Sequence, residues 1–68
     1  MKTLEYEVRF IFEFVNVLTL AYIDDCEDEN ETYRERAIRR AGDTIANSIG
    51  LDVGDADEVT VELTGTIG

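Results

Sequence analysis

The chain contains no histidine, a single cysteine and a single lysine, and these shortages exclude several kinds of active site. Without histidine, neither a Ser-His nor a Cys-His pair can form, so the usual way of activating a nucleophile is missing. A tetrahedral zinc site needs about four Cys or His ligands, and one thiol cannot close an internal disulfide. We therefore expect a protein that is not an enzyme and holds no cofactor and no structural metal.

The one cysteine, Cys26, lies among acidic neighbours that disfavour its thiolate form, so it is a poor candidate nucleophile. An unpaired thiol is typical of proteins in a reducing compartment. Charged residues interrupt any early apolar run that could serve as a signal peptide. The most apolar window, residues 10–23, is shorter than the roughly 20 apolar residues of a membrane span. We expect a cytoplasmic protein that does not bind membranes.

Basic residues are also scarce, with 16 acids against 6 bases and a formal net charge of −10. A surface of this kind favours solubility and repels nucleic acid, whose binders need a basic patch. Direct binding of DNA or RNA is therefore not expected. Disorder requires low hydrophobicity together with high charge, and the apolar content of 44% is normal for a folded domain.

The chain has 68 residues, which suffices for one small domain over residues 1–68. A core of this size seldom supplies more than about 3–5 kcal/mol of net stability. Small domains gain support from disulfides, from a metal or from a partner subunit. Since the first two are excluded, self-association is the expected support.

Two strands are predicted in the first third of the chain. Residues 3–14 alternate between apolar and polar side chains, which is typical of a strand. Residues 15–23 are apolar on both faces, as in a central strand or one at a subunit contact. A single strand through both would extend about 66 Å at roughly 3.3 Å per residue, too long for a small domain. We expect a hairpin turn near residues 15–17, with one strand bent by a bulge as the alternative.

A helix is predicted for residues 29–49, where apolar side chains recur every three or four positions. Asp28 and Glu31 have the spacing of a capping box, and Asn30 is the other candidate cap. Gly50 fits a left-handed C-cap.

The last segment predicts a loop over residues 52–57 and a strand over residues 58–64, after which residues 65–68 should fray. The fold class is therefore α+β, with a β(β)αβ order and one helix packed on a mainly antiparallel, three-stranded sheet. One helix covers only one face, so apolar residues remain for an interface. The candidate interface consists of Ile11, Val15, Val17 and Ile23. We expect a homodimer, with a monomer that exposes a modest apolar patch as the alternative.

Most of the basic residues lie in the predicted helix. Helical spacing places Arg36, Arg39 and Arg40 on the face opposite the apolar stripe. They could form a basic spot for an acidic partner or a phosphate, but pairing with nearby acids explains most of the cluster. The expected pairs are Glu35 with Arg39, Arg39 with Asp43, and Glu31 with Arg34.

The leading hypothesis is a small interaction or assembly module that acts as a homodimer. The alternative is an acidic decoy that occupies the nucleic-acid groove of another protein, as viral and mobile-element inhibitors of this size and charge do. Glu5, Glu7 and Glu13 would form its acidic stripe. A calcium-binding module is a more distant alternative, because the acidic clusters at residues 24–31 and 52–58 supply oxygen ligands but lack the EF-hand spacing.

Overall fold

The structure, a computed structural model, describes residues 2–24 and 30–67. Three strands form one antiparallel sheet in the order β2-β1-β3, and a single helix packs on one face of it. The elements in chain order are β1 (Thr3–Ile11), β2 (Asn16–Asp24), α1 (Tyr33–Ile49), a 3₁₀ turn (Val53–Asp55) and β3 (Glu58–Ile67). The predicted α+β fold with one helix on a three-stranded sheet is confirmed.

A hairpin joins β1 to β2, as predicted, but its loop spans residues 12–15 instead of lying at 15–17. The N–H of Phe12 donates to the carbonyl of Val15 at 2.8 Å. The sequence favours Asn16 as the turn residue because asparagine tolerates a positive φ. None of the described non-glycine residues has a positive φ, so the loop does not need one, and Asn16 instead begins β2 opposite Ile11.

The central strand is β1, and β2 lies at an edge of the sheet. Of the two alternatives for residues 15–23, a central strand is therefore wrong, because β3 occupies the second side of β1, and a strand at a subunit contact stays a prediction. Among the described residues, only one face of β2 is covered. Ala21 and Ile23 are buried, while Leu18, Leu20 and Tyr22 on the other face are about half exposed.

The core lies between the sheet and α1. Small side chains on α1 allow the helix to lie close to the strands, and Gly42 lies against Val53 of the 3₁₀ turn. On the central strand, the side chains of Val8 and Phe10 are fully buried. The buried apolar residues are Val8, Phe10, Ala21, Ile23, Ala37, Ala41 and Ile45.

The helix begins at Tyr33, four residues later than predicted. Its N-cap is Thr32, whose side-chain oxygen accepts a hydrogen bond from the backbone N–H of Glu35 at 3.1 Å. The Thr32 hydroxyl also donates to the Glu35 carboxylate at 3.1 Å. Asn30 is therefore not the cap, and Asp28 lies outside the described residues. The sequence contains two overlapping cap patterns, and the one next to the apolar periodicity is used. At the other end Gly50 adopts φ 71°, which confirms the left-handed C-cap.

The final strand continues to Ile67, so the prediction that residues 65–67 fray is wrong. The register shifts by one residue, since Leu63 pairs with Tyr6 and Gly65 pairs with Glu5. This bulge leaves Thr64 without a direct partner in the ladder. Its hydroxyl lies 2.9 Å from the Glu5 carboxylate and 3.2 Å from the Glu5 carbonyl, which ties the end of β3 to β1.

The close packing of Gly42 gives the first prediction. A Cβ built at Gly42 would lie 2.6 Å from Cγ2 of Val53. Overpacking costs roughly 1–3 kcal/mol, which exceeds the approximately 0.8–1.0 kcal/mol that alanine gains over glycine in a helix. We expect Gly42→Ala to lower the free energy of unfolding, measured by urea denaturation, by about 1 kcal/mol.

Two control variants separate packing from helix propensity. Ser48→Ala, at an exposed position of the same helix, should be neutral or slightly stabilising. In a Val53→Ala background, where the clashing methyl group is gone, Gly42→Ala should no longer destabilise. A Gly42→Ala single variant that is more stable than the wild type would contradict the packing explanation.

Candidate interaction surface

The face of the sheet that α1 leaves open carries a row of large apolar side chains along the edge strand. Leu18, Leu20 and Tyr22 on β2 are 52%, 44% and 46% exposed. We call these three residues the apolar row. Alternation along a strand places all three on the same face, opposite to the buried Ala21 and Ile23. Exposed apolar patches of this kind usually mark an interaction site.

Next to the apolar row, the central strand carries charged side chains on the same face. We call Glu5, Glu7 and Arg9 of β1 the charged row. They pair with Tyr22, Leu20 and Leu18 of β2, in that order. The Arg9 guanidinium lies 4.0 Å from the Glu7 carboxylate, and at half exposure this ion pair contributes little to stability.

On the far side of the charged row, β3 adds more negative charge. Glu62 pairs directly with Glu7 across the sheet, and like charges in this position repel each other. The open face therefore changes from apolar at the β2 edge to acidic across β1 and β3. This gradient is the main chemical feature of the exposed surface.

Two of the four predicted interface residues are on the wrong face. Ile23 is fully buried beneath α1, and Val17 packs against the core from the same face. Ile11 is half-buried on the open face, and Val15 is 45% exposed in the hairpin loop. The error comes from the turn. With the loop at residues 12–15, Val17 pairs with buried Phe10 and shares its face.

Sequence reasoning missed the apolar row for the same reason. Residues 15–23 are apolar on both faces, so their alternation does not reveal which residues are covered. Counting from Asn16 as the first residue of β2 would have placed Leu18, Leu20 and Tyr22 opposite the charged residues of β1.

The structure brings together part of the predicted acidic stripe. Glu5 and Glu7 lie on the open face of β1, whereas Glu13 lies in the hairpin loop, beyond the end of the strand. Glu62 takes its place, because the cross-strand register sets it beside Glu7. The acidic part of the surface thus comes from two strands and not from one.

The outer edge of β2 is only partly covered. The bond from Phe12 to Val15 fixes which residues of β2 direct their backbone groups toward β1, and these are the odd-numbered ones. The N–H and C=O groups of Leu18 and Leu20 therefore point away from the sheet, and no described residue hydrogen-bonds to them there. Farther along, Arg40 Nη1 donates to the carbonyl of Tyr22 at 3.3 Å.

A network of arginines and one glutamate fixes the start of α1 against the end of β2. The Glu31 carboxylate accepts two hydrogen bonds of 2.9 Å from Nε and Nη2 of Arg39. It also lies 3.5 Å from Nε of Arg36. Arg36 in turn places its guanidinium 5.6 Å from the ring centroid of Tyr33 and donates to the Asp24 carbonyl at 3.4 Å.

The placement of Arg36 opposite the apolar stripe is therefore wrong, because the residue is only 7% exposed. Its long side chain extends across the helix surface to the end of β2, which charge alone does not predict. Helix spacing also does not predict the pairing of Arg39 with Glu31, since Glu31 precedes the helix. These contacts use the arginines to support the fold, which leaves less basic surface for a phosphate.

The acidic loops give no metal site within residues 2–24 and 30–67, where no three acidic or cysteine side chains are placed to hold an ion. Most of the first acidic cluster, with Cys26, lies outside the described residues. In the second, the Asp52 carboxylate accepts a hydrogen bond from the N–H of Gly54 at 2.9 Å and caps the 3₁₀ turn.

Within the described ranges, no helix is long and apolar enough to cross a membrane. Comparisons with protein-family models, with curated proteins and with solved structures found no match to this chain.

The arginine–glutamate network gives a pH prediction. The hydrogen bond from Arg39, opposed in part by desolvation, holds the pKa of Glu31 below its ordinary value. A carboxyl group whose pKa is lower in the folded state stabilises the fold above its unfolded pKa, and that contribution is lost as the pH falls through the folded pKa. We expect the wild type to lose stability on acidification more steeply than Glu31→Gln.

Thermal unfolding measured as the pH is lowered from about 6, above the ordinary pKa of a glutamate, reports this difference. Glu13→Gln makes the same charge change at an exposed loop position and serves as the control. Wild-type and Glu31→Gln melting temperatures that fall in parallel on acidification would show that the network does not contribute.

Proposed function

We propose that this protein is a non-enzymatic assembly module of the cytoplasm that acts as a homodimer through the apolar row on β2. The observation that carries the proposal is the half exposure of Leu18, Leu20 and Tyr22 side by side on an edge strand. Removing apolar area from water contributes roughly 25 cal/mol per Å². A domain with so small a core gains much from such burial.

A second copy fits this surface because the apolar row lies at one border of the face. The charged row and Glu62 lie on one side of it, and the outer edge of β2 lies on the other. Two copies can therefore bring their apolar rows together without placing acid against acid. A standard interface buries about 800 Å² per partner, which is roughly a sixth of the 4648 Å² accessible surface of this chain. An interface limited to β2 and the adjoining loop is smaller, so we expect a dissociation constant in the micromolar range.

A charge substitution in the apolar row tests the proposal. Leu20→Lys places an ammonium group in the interface and also lowers the negative charge of the chain, so added repulsion cannot explain a loss of dimer. We expect the wild type to be dimeric at about 100 µM and Leu20→Lys to be monomeric with unchanged circular dichroism. Size-exclusion chromatography with light scattering measures both masses.

The matched control is Leu63→Lys on β3, where the leucine is 53% exposed but lies outside the apolar row. This variant should remain dimeric. A wild type that is monomeric at high micromolar concentration, or a Leu20→Lys variant that dimerises as well as the wild type, would refute the proposed dimer.

Salt dependence gives a second test. Each copy carries a formal charge of −10, and salt screens the repulsion between two like-charged copies. We therefore expect the dimer to become tighter as sodium chloride is raised from about 50 mM to about 500 mM, since the Debye length shortens several-fold. Sedimentation velocity across this series measures the dissociation constant, and a dimer that weakens with salt would contradict apolar association.

The acidic decoy remains a second candidate, supported by the three neighbouring carboxylates of Glu5, Glu7 and Glu62 on one open face. Acids in this arrangement could engage the lysines and arginines of a nucleic-acid groove. This hypothesis requires that binding to such a partner weakens with salt and with the double substitution Glu7→Gln and Glu62→Gln. Binding that is insensitive to both changes would exclude it.

A further inference from the structure

Building on the proposed homodimer, we infer that two copies join by antiparallel pairing of their β2 edges, with Leu18 opposite the partner's Leu18. The two three-stranded sheets then form one continuous sheet, in which the two β2 strands are central. The pairing is isologous, because each copy contributes the same segment around a two-fold axis.

The backbone of β2 presents the groups that such pairing needs. The N–H and C=O groups of Asn16, Leu18 and Leu20 point outward, because Val17 and Thr19 direct theirs to β1. An exposed row of donors and acceptors on an edge strand readily pairs with another strand. With Leu18 on the two-fold axis, Asn16 lies opposite the partner's Leu20, and all three residues find backbone partners.

The arginines of α1 disfavour registers centred nearer the end of β2, and the register at Leu18 is the one that pairs Asn16, Leu18 and Leu20 with one another. Arg40 occupies the carbonyl of Tyr22, and Arg36 occupies that of Asp24. An axis at Leu20 would set Tyr22 opposite the partner's Leu18, and the bond from Arg40 would have to break. An axis at Leu18 uses only residues 16–20 and keeps both arginine contacts. The arginines thus leave open one short section of edge, centred on Leu18.

The exposed side chains fit the same register. Phe14 in the hairpin loop is 91% exposed, a high value for an aromatic residue. With Leu18 on the axis, the hairpin loop that carries Phe14 lies beyond Asn16, at the end of β2 that adjoins the partner's Tyr22. Contact between two aromatic side chains is favourable. The register therefore joins the two apolar rows end to end at Leu18, with Leu20 of each copy opposite the partner's Asn16, and brings the loop that carries Phe14 close to the partner's Tyr22.

Charge favours edge pairing over stacking of the two open faces. In the continuous sheet the two β1 strands are three strand spacings apart, about 14 Å, which exceeds the Debye length of about 8 Å at physiological salt. Face-to-face stacking would instead enclose Glu5, Glu7 and Glu62 between two sheets about 10 Å apart. Burying unpaired carboxylates in this way is strongly unfavourable.

A proline substitution tests the backbone pairing. The N–H of Leu18 points to the free edge, so Leu18→Pro removes no bond within the protomer and edge strands tolerate it. We expect Leu18→Pro to be folded and monomeric. Leu18→Ala keeps the N–H group and should remain dimeric with weaker affinity. The N–H group of Thr19 points to β1, so we expect Thr19→Pro to unfold. That result would confirm which residues of β2 direct their backbone groups to β1.

Cysteine crosslinking tests the register and does not depend on the proline variant. In a Cys26→Ser background, Leu18→Cys places two thiols on residues whose Cα atoms are about 5.5 Å apart, within the range of a disulfide. Leu20→Cys places them roughly 15 Å apart, too far to bridge. We expect mild oxidation to crosslink the first variant and not the second.

The outcomes separate the two proposals. If the wild type is dimeric but Leu18→Pro dimerises as well as Leu18→Ala, edge pairing is wrong and the homodimer stands. If Leu20→Cys crosslinks in preference to Leu18→Cys, the register is wrong. Equal crosslinking of both variants, or of neither, also contradicts the paired edge. If no wild-type dimer forms, both proposals fail.

Discussion

A single helix can cover only one face of a three-stranded sheet, and this limit determines the surface of the molecule. The largest fully buried side chains lie under α1, and they are those of Val8, Phe10 and Ile23. No element within residues 2–24 and 30–67 covers the other face. Because β1 carries charged residues there, the uncovered apolar residues are concentrated on the edge strand β2, where they lie within reach of another molecule.

The position of the hairpin turn between β1 and β2 determines which apolar residues of β2 remain uncovered. Side chains alternate along a strand, so a change in the strand's first residue reverses the face of every residue that follows. The composition of residues 15–23 permits either assignment. The hairpin loop at residues 12–15 settles the choice, because it pairs Val17 with Phe10 and Ile23 with Leu4.

Secondary-structure elements that depend on local sequence patterns could therefore be predicted from the sequence. Features that depend on contacts between distant residues could not. Period-two and period-3.6 patterns predicted the three strands and the helix, and Gly50 predicted the helix end. The end of β3 was missed because its last residues are held by a bulge and by the contact of Thr64 with Glu5, which no local pattern reveals. The burial of Arg36 was missed for a similar reason, since its partners lie outside the helix.

The arginine network links the stability of the fold to the proposed interface. Glu31 holds Arg36 and Arg39 at the start of α1, and Arg36 and Arg40 reach the carbonyls at the end of β2. These contacts cover the part of the edge that would otherwise extend the free strand, and unprotected edges promote uncontrolled association. The same side chains thus fix α1 against β2 and, in the proposed dimer, would limit how many residues of the edge pair with a second copy.

Amide hydrogen exchange, followed by NMR as a function of protein concentration, shows whether the outer edge of β2 is paired. If the outer edge of β2 pairs with a second copy, the amides of Leu18 and Leu20 should exchange rapidly in dilute protein and become protected as the concentration rises. The amides of Thr19 and Ala21, which face β1, should be protected throughout. Leu18 and Leu20 amides that exchange equally fast at every concentration, while the protein is dimeric, would contradict this account.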